Sequence, residues 1–326
     1  MMHNLLVIFG AGASYDYSEF SAPCPLTNEL VNSNRMDQNL LLKYKDCGDL
    51  FTEIRPNIIQ KRISFENALR ELKEKFGNQK HRKIQFAALA YYLKDFFKNA
   101  SGHTSTINNY ANLINKLKDH NSGTATIATF NYDSLFETAL RTGFNSMRDY
   151  ISGAIKLIKI HGSHDWSYIQ DKRNFLLLSD SDNLISYDII RENPDVLEKL
   201  KEEFEPVHDT EISDFSGFRF PAIAIPLTNK HNFICPLNHT QTLQNAINTV
   251  DKILIIGWAA RDQNLIRLIK EGIRKNISTL IVAGSKEGAL ETSRNLNEIS
   301  QLKCALSDKT FSDSLSDGEI DNFLSN

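Results

Sequence analysis

The chain opens on Leu5-Leu6-Val7-Ile8-Phe9, followed at once by Gly10-Ala11-Gly12-Ala13-Ser14. Five apolar residues without alternation suit a strand buried on both faces, as in the middle of a parallel sheet. A Gly-x-Gly turn directly after such a strand is where an α/β sheet can bring backbone N–H groups close to a pyrophosphate, because glycine lacks the Cβ that would hold the anion away. The full dinucleotide fingerprint is broken twice. Tyr15 stands where a third glycine is expected, and the acidic residue expected about twenty positions on would have to follow a second strand in a region that reads as helical. Hydride transfer is disfavoured on this ground.

From residue 25 to 121 the pattern is helical. Phe65, Leu69 and Leu72 share one helical face, and the stretch 86–97 carries Leu89, Tyr92, Leu93 and Phe96 at helical spacing. So aromatic a stretch predicts the core of a helical insertion, with a subunit interface as the alternative. Beyond it, strands are expected at 124–130, 155–160, 222–225, 253–256 and 279–282. Helices are expected at 134–140, 193–205, 240–250, 262–275 and 286–299, and a small hairpin within 163–186. Strands alternating with helices indicate a parallel sheet covered on both faces. The last twenty residues, 307–326, read as an acidic, Ser-rich tail with a short helix near its end.

With 37 Lys and Arg against 40 Asp and Glu, the net charge of −3 excludes nucleic-acid binding through bulk positive charge. Apolar residues at 41% and charged residues at 24% supply a sizeable core, which excludes disorder as the dominant state. Cys24, Cys47, Cys235 and Cys304 are scattered and form no CxxC pair, so no zinc ribbon is encoded and a reducing compartment is expected. No apolar run is long enough for a membrane span, and the first residues lack the basic segment and cleavage site of a signal peptide. A soluble, cytoplasmic protein is expected.

Three further polar clusters follow expected strands: Thr129-Phe130-Asn131-Tyr132-Asp133, His161-Gly162-Ser163, and Gly257-Trp258-Ala259-Ala260-Arg261-Asp262. Strand C-termini are where open α/β sheets bind ligands. Taken singly, Asp133 and Asp262 also read as helix N-caps, and His161 as a histidine closing a turn.

In this order, and together with Gly10-Ala11-Gly12-Ala13-Ser14 and Pro23-Cys24-Pro25-Leu26-Thr27-Asn28-Glu29-Leu30, these motifs resemble the sirtuin family, and more closely its NAD-hydrolysing effectors of bacterial antiphage defence. The resemblance covers about residues 4–284. It implies an α/β fold with a Rossmann-like parallel sheet, helices on both faces and a large helical insertion. The implied division is a nucleotide-binding domain of residues 1–24 and 122–306, an insertion of 25–121 and a tail of 307–326. It also implies NAD as substrate in an extended cleft, with no metal. Gly10, Ala11, Gly12, Ala13 and Ser14 would wrap the pyrophosphate and nearby ribose, with Thr129 beside them. Asn131 would hold the nicotinamide-side ribose and a water, Asp133 the carboxamide, and His161 would act as general base. Gly257 and Trp258 would lie along the adenosine half, with Gly284 and Ser285 near the adenine.

The implied activity is NAD+ glycohydrolysis as the toxic effector of an abortive-infection system. A homo-oligomer is implied. A HerA-type ring ATPase is the first partner suggested and a short Argonaute the second, with no direct nucleic-acid or membrane contact. The alternatives are a non-catalytic NAD- or ADP-ribose-binding regulatory module and a zinc-free NAD-dependent protein deacylase. The missing cysteine pairs count against the deacylase. Outside this set, His231, Cys235 and His239 recur every four residues, but Pro236 interrupts the helix that would make them metal ligands, and His161 with His164 is similarly weak across Gly162. The 222–230 connection borders a cleft or is a plain loop. Trp166 and Tyr168 cover the nicotinamide end or pack the hairpin. The Lys/Glu-rich 198–205 run reads as a solvated helix face.

Overall fold

The computed structural model describes residues 4–17, 24–31, 35–61, 63–102, 105, 108–120, 124–168, 182–200, 203–207, 219–225 and 233–326. The strands are β1 (Leu5–Phe9), β2 (Ala125–Thr129), β3 (Ile155–Lys159), β4 (Gly162–Tyr168), β5 (Phe204–Pro206), β6 (Phe220–Ile223), β7 (Lys252–Ile256), β8 (Ile277–Val282) and β9 (Leu302–Ser307). The helices before β3 are α1 (Ala11–Tyr15), α2 (Gln38–Lys43), α3 (Lys45–Lys61), α4 (Phe65–Phe76), α5 (Lys80–Ser101), α6 (Asn109–His120), α7 (Leu135–Leu140) and α8 (Asp149–Ser152). Those after it are α9 (Asp182–Glu192), α10 (Leu237–Thr249), α11 (Gln263–Gly272), α12 (Lys286–Asn295), α13 (Phe311–Ser316) and α14 (Glu319–Ser325).

Two compact units share the chain. Residues 1–24, 101–161 and 231–326 form the first, and residues 25–100 and 162–230 the second. The first is built on a six-stranded sheet in the order β3-β2-β1-β7-β8-β9, with every pair parallel. Relabelled within the sheet, that is the 3-2-1-4-5-6 order of a Rossmann-like fold, with its switch point between β1 and β7. Strand β1 sits in the middle, and all five of its residues are buried. Leu6 and Ile8 enter one layer with Leu243 and Ile247 of α10 and Leu265 and Ile269 of α11. On the opposite face Phe9 packs on Tyr110 of α6, Phe136 of α7 and Phe311 of α13. Burial on both faces explains the unbroken apolar run, and each such side chain contributes about 1.5–3 kcal/mol.

Three segments of this unit differ from the sequence reading. The sixth strand, β9, was not expected: on the sheet edge it is only partly buried and carries Lys303 between Leu302 and Cys304. In the expected tail α14 is the short helix read near its end, while α13 was not expected, and the two bury Phe311, Leu315, Ile320 and Leu324. Lys252 closes the end of α14 by donating to the carbonyls of Phe323 and Leu324 at 3.1 and 2.9 Å. Helix α6, expected in the insertion, belongs to this unit.

The second unit combines helices with a small antiparallel sheet, β5-β4-β6. Strand β6, expected in the parallel sheet, pairs here with β4, and β5 replaces the end of the expected 193–205 helix. Most of the hairpin expected within 163–186 lies outside the described residues, and α9 occupies its end. The aromatic face of α5 is consumed internally: Phe86, Tyr91 and Tyr92 are fully buried, and Tyr91 stacks on Tyr44, meets Phe220 edge-on and lies tilted against Tyr187. Trp166 and Tyr168 pack on Phe204.

His239 at the start of α10 is fully buried, and its Nε2–H donates to the Met147 carbonyl at 2.7 Å. Burial pushes its imidazole down from 6.5 to about 4, against the smaller opposing effect of the Met147 bond. The unfolded chain therefore binds a proton in a range where the folded chain does not. The stability this histidine contributes is present above about pH 6.5 and is lost as pH falls toward about 4, by about 3 kcal/mol at most. Urea denaturation at pH 7, 5.5 and 4.5 should show that decline, and His239→Gln should flatten it. An unchanged slope would mean that the imidazole is not buried neutral. Among the described residues no helix is long and apolar enough to cross a membrane.

Candidate functional site

The carboxyl ends of β1, β2, β3, β7 and β8 bring the expected residues to one edge of the parallel sheet, around the switch point. Gly10–Ser14 follow β1, Thr129 ends β2, with Asn131 and Asp133 just past it, and His161 lies just past β3. Gly257 and Trp258 follow β7, and Gly284 and Ser285 follow β8.

At the switch point the two glycine turns pack backbone against backbone. Gly10 N–H donates to the Ile256 carbonyl at 3.0 Å, and Gly12 N–H donates to that of Gly257 at 3.2 Å. A Cβ on Gly10 would stand 2.4 Å from the Gly257 oxygen, and one on Gly12 2.8 Å from the Gly257 Cα. The glycines thus let strands β1 and β7 continue into touching turns. Ala11 is partly exposed at the start of α1, Ala13 is buried, and the Ser14 hydroxyl is turned inward.

That inward side is a buried polar knot. Asn131 Nδ2 donates to the Gly10 carbonyl at 3.0 Å and to Ser14 Oγ at 2.9 Å, and Ser14 Oγ is 2.7 Å from Tyr110 Oη. Thr129 Oγ1 accepts the Asn131 N–H at 3.1 Å, which sets the turn after β2. Asn131 therefore ties β2 to the glycine turn across 121 residues of sequence. Tyr110 of α6 was not singled out from the sequence. Its position on an apolar helical stripe was legible, but the partner of its hydroxyl was not.

Asp133 is almost fully buried, and one of its oxygens accepts the Leu135 N–H at 3.2 Å at the start of α7. The Cys24 thiol faces the same carboxylate. Burial first, and then the Asp133 charge, pushes that thiol far above its ordinary range, so Cys24 is an inert packing group there. Pro23 lies outside the described residues. Beneath Asp133, the fully buried Lys159 donates to its backbone carbonyl and to Glu137 Oε1 at 2.7 Å. A lysine at the end of a strand gives no sequence hint of this pairing with a glutamate 22 positions earlier.

His161 is the most accessible of the expected catalytic side chains, 32% exposed, and Asp262 Oδ2 stands 3.5 Å from its Nε2. Its ring meets Phe130 edge-on at 4.8 Å and lies along Tyr132 at 6.4 Å. Phe130 in turn stacks on Trp258 at 5.3 Å with 9° between the planes. Trp258 is thus largely buried against the protein. Asp262 is also the N-cap of α11, with Oδ1 accepting the Leu265 N–H at 2.8 Å. Burial raises its carboxyl, but the neighbouring His161 ring and the Leu265 and Asn264 amides outweigh that and hold it below the usual carboxylate range. At the β8 end, Gly284 has φ +74 with open space where a Cβ would be, and Ser285 caps α12 through Gly288 N–H at 3.1 Å.

Among the described residues no group of three or more His, Cys, Asp or Glu side chains is arranged to hold a metal ion. His231 and the 226–230 loop lie outside them, while Cys235 contacts Thr240 at 3.4 Å. The arrangement can hold a polar ligand along the sheet edge and place an imidazole at one end of it.

No family model and no curated protein sequence matches the chain. Among solved structures it is similar to Sir2 proteins. A Sir2 homolog–NAD complex aligns at 12% identity over 98% of this chain and 90% of that one, with a TM-score of 0.45. Sir2Tm bound to a propionylated peptide aligns at 12% identity over 98% and 93%, with a TM-score of 0.42. A Sir2–p53 peptide–NAD+ complex aligns at 13% identity over 98% and 92%, with a TM-score of 0.39. The Rossmann-like assignment stands on the strand order rather than on these superpositions.

Proposed function

We propose that this chain is an NAD+ glycohydrolase that cleaves NAD+ and water to nicotinamide, ADP-ribose and a proton. The observation that carries the proposal is the gathering of the Asn131 turn and the β1 and β7 glycine turns at the switch point, the location where open α/β sheets hold dinucleotides, with His161 on the same sheet edge 3.5 Å from Asp262. In the reaction the nicotinamide–ribose bond breaks with its electron pair passing to the ring, which leaves neutral, so a strong general acid is not required. Positive character develops on the sugar, and a water adds there and loses a proton. A part-exposed imidazole is a group of the right kind to accept that proton.

On this reading His161 takes the proton and Asn131 and Asp133 shape the nicotinamide end. Gly10, Ala11, Gly12, Ala13, Ser14 and Thr129 form the phosphate side, and Gly257, Trp258, Gly284 and Ser285 the adenosine side. One observation favours a second reading, a regulatory module that binds NAD or ADP-ribose without turnover: the Asn131 amide nitrogen and the Ser14 hydroxyl are already engaged inside the protein. A deacylase is the least supported, since its ribbon cysteines are missing.

The proposal extends to a toxic, NAD+-depleting effector of an abortive-infection antiphage system in the cytoplasm. It would be an oligomer held silent until a partner triggers it, a HerA-type ring ATPase first and a short Argonaute second. The near-neutral charge supports leaving nucleic-acid contact to that partner. The test is to incubate the purified chain, alone and with candidate partners, with NAD+ and to quantify nicotinamide, ADP-ribose and NADH. Nicotinamide and ADP-ribose in equal amounts support hydrolysis, binding without release supports the module, and release only with an acetyl-lysine peptide supports the deacylase.

A further inference from the structure

We infer that Asp262 is a positioning residue for His161, holding the imidazole as the Nε2–H tautomer so that Nδ1 carries the lone pair. The inference deepens the NAD+-cleaving reading and depends on it for its kinetic consequence alone. Asp262 divides its two oxygens. Oδ1 accepts the Leu265 N–H at 2.8 Å and fixes the start of α11, while Oδ2 faces His161 Nε2 at 3.5 Å. A carboxylate only accepts, and a neutral imidazole carries a hydrogen on just one nitrogen, so the nitrogen facing Oδ2 is the protonated one.

The other constraints on the ring are apolar and set its plane but not its tautomer. Phe130 meets it edge-on and Tyr132 lies along it. The turn bearing Asp262 is itself held tightly. Thr292 Oγ1 donates to the Trp258 carbonyl at 3.2 Å, and Asn295 Nδ2 to that of Ala259 at 2.8 Å. Ala260, fully buried, has φ +50, a left-handed conformation that a residue with a Cβ adopts only where its surroundings impose it. A plain helix cap requires only Oδ1 and no such turn. The second oxygen, aimed at the histidine that follows β3, is what capping leaves unexplained.

The decisive variant is Asp262→Asn. Asparagine caps helices as well as aspartate. With its amide oxygen taken by the Leu265 N–H, its NH2 group faces His161 Nε2, which must then accept. The imidazole proton moves to Nδ1, and the acceptor is turned away from its working position. The experiment records two-bond 1H–15N correlations of the full chain labelled at histidine, with the His161 signals assigned by their loss in His161→Gln. It is paired with NAD+ turnover and denaturation midpoints. We expect Nε2–H in the wild type and Nδ1–H in Asp262→Asn, with an unchanged midpoint. The kcat should fall by about 10²–10⁴-fold while KM stays within about threefold. Asp262→Ser, which caps without pushing the tautomer, should fall in between. A wild-type Nδ1–H tautomer, or the same tautomer in both proteins, overturns the inference, as does full turnover by Asp262→Asn. Should the wild type release no nicotinamide either alone or with the candidate partners, the NAD+-cleaving reading fails, and the tautomer pair still decides the role of Asp262.

Discussion

His161→Ala should lower nicotinamide release from NAD+ by about 10²–10⁴-fold while leaving the fold intact. The side chain is a third exposed, and among the described residues it has a 3.5 Å polar contact to Asp262, meets Phe130 edge-on and lies along Tyr132. Removing it uncovers little core, so the denaturation midpoint should stay nearly unchanged, which makes the rate a clean readout. Asn131→Ala should also reduce release, but its effect is mixed. Its Nδ2 donates to the Gly10 carbonyl and Ser14 Oγ, and truncation leaves those buried acceptors short of a donor at a cost of about 1–3 kcal/mol. The two variants should therefore separate: His161→Ala lowers kcat alone, and Asn131→Ala lowers both turnover and stability. Undiminished cleavage in both would remove this site assignment.

Gly257→Ala should be the most destabilising single methyl in the parallel-sheet unit, by about 3–5 kcal/mol, a large part of a typical total stability of about 5–15 kcal/mol. The residue has φ +63, and an added Cβ would lie 2.4 Å from the Ala13 nitrogen and 2.6 Å from the Gly12 Cα and carbonyl carbon. All three are backbone atoms, so no side chain can swing aside. The β1 and β7 turns would have to part. Gly284→Ala is the control: its φ is +74, but nothing lies within 4 Å of the new Cβ, so only the left-handed backbone cost of about 1–2 kcal/mol applies. Denaturant midpoints at constant m-value measure both. If the two variants lose equal stability, the close packing at the switch point is not what requires glycine.

Where the candidate residues fall on the sheet was legible because strand ends announce themselves. The apolar runs of β1 and β7 stop at glycine, and the polar clusters after β1, β2, β3 and β7 lie together because parallel strands put all their carboxyl ends on one edge. The edge strand β9 was illegible for the complementary reason, since a half-buried strand with a lysine in it has no continuous apolar run. Helix α14 is the short helix expected near the chain's end, whereas α13 was hidden by a Ser- and Asp-rich surface, although Phe311 and Leu315 are spaced for burial. The 220–223 segment looked like any short strand, and only its antiparallel partner β4 separates it from the main sheet.

By itself, then, the amino-acid order determined a parallel α/β sheet, its first strand and glycine turn, the polar residues at its strand ends and the lack of a cysteine ribbon. These are properties of local runs, spacing and composition. Tertiary structure alone decided what those residues touch. It set Gly10 and Gly12 against Gly257, tied Asn131 to Ser14 and Tyr110, buried Lys159 under Asp133 and turned the second oxygen of Asp262 toward His161. Each of these contacts joins different elements of the chain, most of them far apart in sequence, and distance along a chain carries no record of which atoms the fold brings within hydrogen-bonding reach.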